Sequence, residues 1–167
     1  GNKILSIVQA VCLKHPDLKP YNPRTNIGFL RHLMLRFGVN TNQLMINIVT
    51  GYDDINKLSP LTDRLLDEIP EITSMVNNVN TRKADVAYGE FENLIFGNPY
   101  IEEKIGKLTF KISANSFFQT NTFQGEVLYD EVLKVAGLTG DEIVYDLYCG
   151  TGSIALYLSK NAKVVYG

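Results

Sequence analysis

Cysteine is scarce here: the 167 residues include two, Cys12 and Cys149. They lie far apart and lack metal-like spacing. A disulfide framework is not indicated, and a reducing cytoplasm is the expected setting. Charge of one sign is lacking as well. Sixteen Lys and Arg face eighteen Asp and Glu, for a formal net charge of −2. That removes any global basic signature, so a nucleic-acid surface must be local or lie elsewhere. No apolar run is long enough to span a bilayer, and the first residues show no signal-peptide pattern, so no membrane partner is expected. Internal repeats and low-complexity segments are absent. What is present is a chain 45% hydrophobic, which supports a folded core.

In chain order, residues 3–14 read as a helix with Ile4, Val8, Val11 and Cys12 on one stripe, stopped by Pro16. Cys12 reads as a small buried hydrophobe. A polar linker follows from Asp17 to Asn26. Ile27 to Phe37 reads as a strand with Phe29, Leu33, Leu35 and Phe37 on one face, interrupted by Arg31. Leu30, His32, Met34 and Arg36 share the other face. Gln43 to Thr50 completes an antiparallel hairpin, with Leu44, Ile46 and Ile48 on one face. Arg31, His32 and Arg36 have the chemistry to touch a phosphate backbone, but a solvated sheet face is the favoured reading of all three. Ser59-Pro60 predicts a helix start with serine as N-cap, carrying Leu61, Leu65 and Leu66 and ended by Pro70. Ile72 to Val79 predicts a strand, and the polar stretch Asn77 to Lys83 an exposed loop or substrate edge. Phe91–Phe96, Tyr100–Ile105 and Leu108–Ile112 read as further strands, the last two joined by a Gly106-Lys107 turn. Mostly antiparallel neighbours are expected in this half.

From Ser113 the character changes. Asn121 with Gln124 predicts a capped helix start, and Phe123, Val127, Leu128, Val132 and Val135 its buried stripe, with Gly137 at the C′ position. A short strand, Ile143 to Tyr145, runs into Asp146-Leu-Tyr-Cys-Gly-Thr-Gly152, and Ser153 to Ser159 suits a helix. Lys163 to Tyr166 reads as the next strand. Strand, glycine turn and helix is how a parallel α/β sheet presents backbone N–H groups to a ligand. The loop lacks the Gly-Lys-Ser/Thr of a Walker-type phosphate loop. A dinucleotide, S-adenosylmethionine and no ligand remain in competition. Asp146, ahead of the glycines, favours S-adenosylmethionine. A carboxylate there can accept from an ammonium group, whereas a pyrophosphate is repelled by it. Tyr148-Cys149 points the same way. One βα unit and a second strand do not fill a doubly wound sheet, so the sequence reads as a fragment.

Two motifs together carry a resemblance. Ser116-Phe-Phe-Gln-Thr-Asn121, followed by Gln124 and Tyr129, and Asp146-Leu-Tyr-Cys-Gly-Thr-Gly152 resemble segments of the RNA uracil-C5 methyltransferases, which make 5-methyluridine in tRNA and ribosomal RNA. Weaker similarity runs through Leu30–Arg36 and Asn78-Val-Asn80. The resemblance implies S-adenosyl-L-methionine as cofactor, with Gln119, Asp146, Tyr148, Gly150, Gly152 and Ser153 as its contacts. Ser153 stands where relatives often carry asparagine. Phe117 and Phe118 are expected to anchor their segment against the sheet. In such enzymes a cysteine thiolate adds to C6 of uracil and a base later removes the C5 proton. Both residues lie downstream of the glycine loop, so this chain is expected to hold no catalytic residue, and Cys149 matches a cofactor-loop position.

The expected fold class is α/β: a mixed α+β central domain, 1–116, followed at 117–167 by the first part of a Rossmann-like methyltransferase domain. The expected function is that of a fragment of an enzyme methylating C5 of a uridine in rRNA or tRNA, inactive alone, with RNA as the partner of the intact parent. The alternatives are a methyltransferase of another substrate class and a non-catalytic RNA- or protein-binding module. A dinucleotide-dependent oxidoreductase ranks behind them.

Overall fold

The computed structural model describes residues 1–83 and 86–167. The first helix, α1 (Asn2–Lys14), follows its apolar spacing and buries Ile4, Ile7 and Val11. Val8 and Cys12 are partly covered at the edge of the same cluster. The segment after it is more than a polar linker: Leu18 is fully buried, and residues 21–27 form a hydrogen-bonded turn.

Four strands form the first sheet: β1 (Leu30–Gly38), β2 (Gln43–Thr50), β3 (Ile72–Val79) and β4 (Phe91–Gly97), in that spatial order. β1 and β2 form the expected antiparallel hairpin, but with an irregularity between Leu30 and His32 that leaves Arg31 as the extra residue. This explains why Arg31 breaks the alternation. Phe29 is buried, whereas Leu35 and Phe37 on the edge strand are exposed. The β2–β3 pair is parallel, against the expectation of antiparallel neighbours. The cause is α2 (Ser59–Glu68), which supplies the crossover that a parallel pair requires. The serine at its start is not the cap. Asp54 caps a preceding 3-10 turn, Ile55–Leu58, by accepting from the Lys57 amide, and the Ser59 hydroxyl donates back to the Asn56 carbonyl at 2.9 Å. α2 buries Leu61, Thr62 and Leu65, with Leu66 partly covered.

β2 and β3 are covered on both faces. Ile46, Ile48 and Met75 join the cluster with α1 and α2. On the opposite face Asn47, Ser74 and Asn78 are fully buried. Asn77 and Asn78 therefore belong to a buried strand, and Asn80 just beyond it is equally buried, so the predicted exposed stretch begins only at Thr81. Their amides are satisfied. Asn77 donates to the Ile48 carbonyl at 2.9 Å, and Asn78 to Asn47 at 3.2 Å and to Asn115 at 3.1 Å.

The chain divides into two compact units. One comprises 1–38, 42–101 and 113–115; the other comprises 39–41, 102–112 and 116–167. In the second, β5 (Tyr100–Ile105) and β6 (Leu108–Ser113) pair across the two-residue Gly106-Lys107 turn, a connection that only an antiparallel pair accepts. α3 (Thr122–Ala136) starts at Asn121, whose side chain accepts from the Gln124 amide at 3.1 Å, and ends at Gly137 with φ +58°. Its predicted buried stripe is wrong. Phe123, Val127, Leu128 and Val135 are exposed, Val132 is half-buried, and the buried residues are Thr122, Gly125 and Tyr129. β7 (Ile143–Tyr145), α4 (Ser153–Leu158) and β8 (Val164–Tyr166) complete one βαβ unit, with β7 and β8 parallel as expected. The molecule is mixed α/β, as read from the sequence. Among the described residues no helix is long and apolar enough to cross a membrane.

Candidate functional site

The site lies in the second unit and is built outward from α3. Residues four apart on a helix share a face. On the buried face of α3, Gly125 and Tyr129 are such a pair. A Cβ at Gly125 would sit 3.3 Å from the Gln119 Cβ and 3.6 Å from its Cγ, so the missing side chain is what lets Gln119 lie against the helix. One turn along, the Tyr129 hydroxyl is 2.7 Å from the Ser153 Oγ. The same face of α3 thus holds Gln119 from one segment and Ser153, the first residue of α4, from another. Tyr129 also packs against Tyr157 with ring centroids 5.5 Å apart. The Tyr157 hydroxyl donates to Asp130 at 2.5 Å, and that bond, helped by burial, pushes its pKa up to about 12.

The Ser116–Asn121 segment is anchored unevenly. Phe118 is buried and meets Phe110 of β6 at 5.5 Å, but Phe117 is 66% exposed and anchors nothing. Expecting both to point inward ignored that neighbours in an extended segment face opposite ways. Gln119 is half-buried, and among the described residues its carboxamide makes no hydrogen bond. Two carboxylates missed in the sequence anchor turns within this unit. Glu103 is 1% exposed and accepts from the amides of Val39 (2.6 Å) and Asn40 (3.0 Å) and from the Thr122 hydroxyl (2.8 Å). The alternation Ile101, Glu103, Ile105 places this acid inward and is the signal that could have found it. Glu142 accepts from the Thr139 hydroxyl and amide and from the Gly140 amide. Those bonds, the Thr139 hydroxyl first, hold its pKa down at about 2 and shape the turn into β7.

The glycine loop leaves β7 at Asp146, whose amide donates to the Tyr166 carbonyl at 2.8 Å. Gly150 and Gly152 have φ of +54° and +72°, conformations that a side chain rarely adopts, and nothing lies within 4 Å of a Cβ at either. The Gly152 amide closes the turn on the Cys149 carbonyl at 2.7 Å. Tyr148 is 97% exposed. The Asp146 carboxylate is half-buried and makes no hydrogen bond or ion pair among the described residues. Ser153, by contrast, is already engaged through Tyr129. The donor and acceptor set therefore suits a ligand carrying an ammonium group and polar ribose or amino-acid functions. It comprises an uncommitted carboxylate, an uncommitted carboxamide, a bare aromatic face and an open glycine turn. Cys149 packs against the end of β8, where a Cβ at Gly167 would lie 2.9 Å from its own Cβ.

Arg31 and Arg36 are neither solvated nor presented to a ligand. Arg31 Nη1 donates to the Asn80 carbonyl at 2.8 Å and to the Arg82 carbonyl, and its guanidinium lies 4.2 Å from the Tyr21 ring centroid. Arg36 Nη2 donates to the Ala114 carbonyl at 3.0 Å. Burial lowers its pKa, opposed by Tyr88 and Glu92, and its Nε is buried without a partner among the described residues. His32 is half-buried. The solvated-face reading fails for Arg31 and Arg36 because the stretch just after β3 and Ala114 supply carbonyls that the local sequence pattern does not announce.

No family model matches the chain. A protein of Chlorobaculum tepidum named as an uncharacterized RNA methyltransferase is 46% identical over 167 residues, covering 99% of this chain and 34% of its own length. One of Clostridium acetobutylicum with the same designation is 41% identical, covering 100% of this chain and 36% of its own. The chain thus spans about a third of the length of the curated relatives it matches. Among solved structures, the Pyrococcus abyssi tRNA (uracil-54, C5)-methyltransferase in complex with S-adenosyl-L-homocysteine superposes with a TM-score of 0.74 at 29% identity, over 93% of this chain and 36% of that one. The likeness carried by Ser116–Asn121 and Asp146–Gly152 is borne out: the whole chain is homologous to one segment of proteins named RNA methyltransferases and shares its fold with a methyltransferase structure.

Proposed function

We propose that this chain supplies part of an S-adenosyl-L-methionine site in an RNA methyltransferase acting on C5 of a uridine. Residues 1–116 serve as the central domain and 117–167 open the cofactor-binding domain. The observation that carries the reading is the buried face of α3, where Gly125 seats Gln119 and Tyr129 holds Ser153 at the mouth of the glycine loop. Two segments 34 residues apart in sequence, each with uncommitted polar groups, are tied to one helix.

When bound, the cofactor supplies an electrophilic methyl group on a sulfonium. The chain's own residues do the rest of what is asked here. Asp146 accepts from the ammonium group, Gln119 hydrogen-bonds through its carboxamide, Tyr148 offers an aromatic face, and Gly150 and Gly152 keep the approach free of side chains. Ser153 acts chiefly as the Tyr129 partner, and its contact with the cofactor is secondary to that role. No residue of this chain is assigned to proton transfer or to attack on the base.

A chimera tests the reading. This chain, fused to the segment that follows its counterpart in the Chlorobaculum tepidum relative, is incubated with labelled S-adenosylmethionine and an unmodified uridine-containing RNA. The nucleosides are then separated. The expected product is 5-methyluridine, reduced at least about tenfold by Asp146→Ala or Gln119→Ala, the equivalent of about 1.4 kcal/mol of lost stabilisation. The chain alone is expected to transfer no methyl group. A methylated protein or small molecule in place of RNA would move the reading to another substrate class.

A further inference from the structure

Arg31 and Arg36 are committed inside the first unit, so the cations available to a polyanion lie elsewhere. Two turns meet at one corner of that unit. In the first, the Asn22 amide donates to the Ile27 carbonyl and the Asn26 amide to the Asn22 carbonyl, each at 2.8 Å. The Asn22 side chain accepts from the amides of Arg24 (2.9 Å) and Thr25 (3.3 Å), and the Tyr21 hydroxyl donates to the Asn26 side chain at 2.9 Å. Asn26 sits at φ +56°, held in a left-handed conformation by this network. The tip of the turn presents Arg24, exposed to solvent, with exposed Lys19 nearby in the chain.

In the second turn the Asn80 side chain accepts from the Arg82 amide at 3.0 Å, and exposed Arg82 and Lys83 project from it. Arg31 bolts the two turns together, with the Tyr21 ring on one side of its guanidinium and the Asn80 and Arg82 carbonyls as its acceptors. Glu90 reaches Arg82 Nε at 3.4 Å while also accepting from Thr81. The side chains of Arg24 and Lys83 make no hydrogen bond or ion pair among the described residues. The chain segments that form the corner, 19–26 and 81–83, carry four basic residues and no acidic one, on a chain whose net charge is −2.

We propose that this corner is an RNA-backbone docking surface, with Lys19, Arg24, Arg82 and Lys83 meeting phosphates and Asn22 and Thr25 supplying neutral polar contacts. It rests on the RNA-substrate reading above. Hydrogen-bonded turns carry the charges, so the backbone that presents them is already shaped before RNA arrives. Backbone contacts of this kind fix register without reading sequence, which leaves base selection to the methylation site.

The test is fluorescence anisotropy of a labelled RNA stem-loop with uridines in its loop, titrated with this 167-residue chain over a salt series. Neutralising Arg24→Gln, Arg82→Gln and Lys83→Gln together is expected to flatten the slope of log K against log salt by about 2, at roughly 0.7–0.9 per phosphate contact. Lys83→Gln alone, at an exposed turn tip, is expected to contribute about a third of that, and it keeps the test valid if the triple variant melts early. Lys107→Gln with Lys160→Gln, the basic pair beside Tyr157 in the second unit, is expected to leave the slope unchanged. Wild-type binding with no change in either the triple or the single variant overturns this surface while leaving the RNA reading intact. Equal affinity for a poly-glutamate peptide overturns the assignment to RNA. No salt-dependent RNA binding by the wild-type chain overturns both.

Discussion

Single residues show how far local chemistry sets this structure. Glu142 is fixed by three donors in a turn of four residues, and the consequence for pH is direct. Its folded pKa, at about 2, lies below the ordinary carboxylate value, so its stabilising contribution is complete above about pH 4.5 and is lost as pH falls toward 2. A carbon-detected NMR titration is expected to find its midpoint well under those of the exposed glutamates, and Thr139→Val is expected to return it most of the way. Glu103 answers to a different test. It is buried with donors on every side, so Glu103→Gln replaces an acceptor with an amide that must point N–H toward N–H. Urea denaturation is expected to show a loss of about 2–4 kcal/mol. A loss below about 1 kcal/mol would mean that the turn at Val39–Asn40 and the start of α3 stand without it. Arg31 and Arg36 teach the complementary lesson. Their residue types invite a phosphate, yet the carbonyls that hold them come from positions 49–51 and 78 residues away, and no local pattern records such partners.

Secondary-structure elements were legible where their cause is local. The Asn121 cap, the Gly137 terminus and the Gly106-Lys107 turn each follow from a residue or two. The strands follow from alternation. Pairing direction did not follow, because β2–β3 is set by a crossover helix rather than by either strand. α3 was misread for another reason. Its apolar residues run round much of the helix, and the face that is buried is marked by Thr122, Gly125 and Tyr129, which hydrophobicity ranks low. The Ser116–Asn121 and Asp146–Gly152 segments stood out in the sequence as the motifs that carry the family resemblance. What stayed hidden was that one helix face organises both. Tyr129→Phe removes only the hydroxyl that meets Ser153. It is expected to cost about 0.5–1.5 kcal/mol in thermal or urea unfolding and to broaden or shift the backbone amide resonances of Gly152 and Ser153 while leaving the β1–β4 sheet unchanged. A spectrum altered throughout would show Tyr129 to be a general core residue instead.

At the scale of the whole molecule, the two units carry different parts of the account. The first displays basic side chains on two hydrogen-bonded turns. The second ties a carboxamide segment and a glycine loop to α3. The relatives are about three times as long as this chain, and cofactor contact is the part of the proposed function that this chain can be asked about directly. The two-stranded parallel sheet leaves Ile143, Tyr145 and Tyr166 exposed, and Leu147 and Tyr148 in the loop beyond it lie open as well. A site so open binds loosely, since affinity grows with how completely a ligand is enclosed. The measurement that bears most directly on the central claim is therefore a nitrogen–proton NMR titration of this chain with S-adenosyl-L-homocysteine, with NAD as the comparison ligand. The predicted result is weak binding, with shifts confined to the Gln119 side-chain amide and to the backbone of Asp146–Ser153, and no matching shifts with NAD. Shifts that bypass Gln119 and the loop, or that NAD reproduces at the same residues, would contradict it.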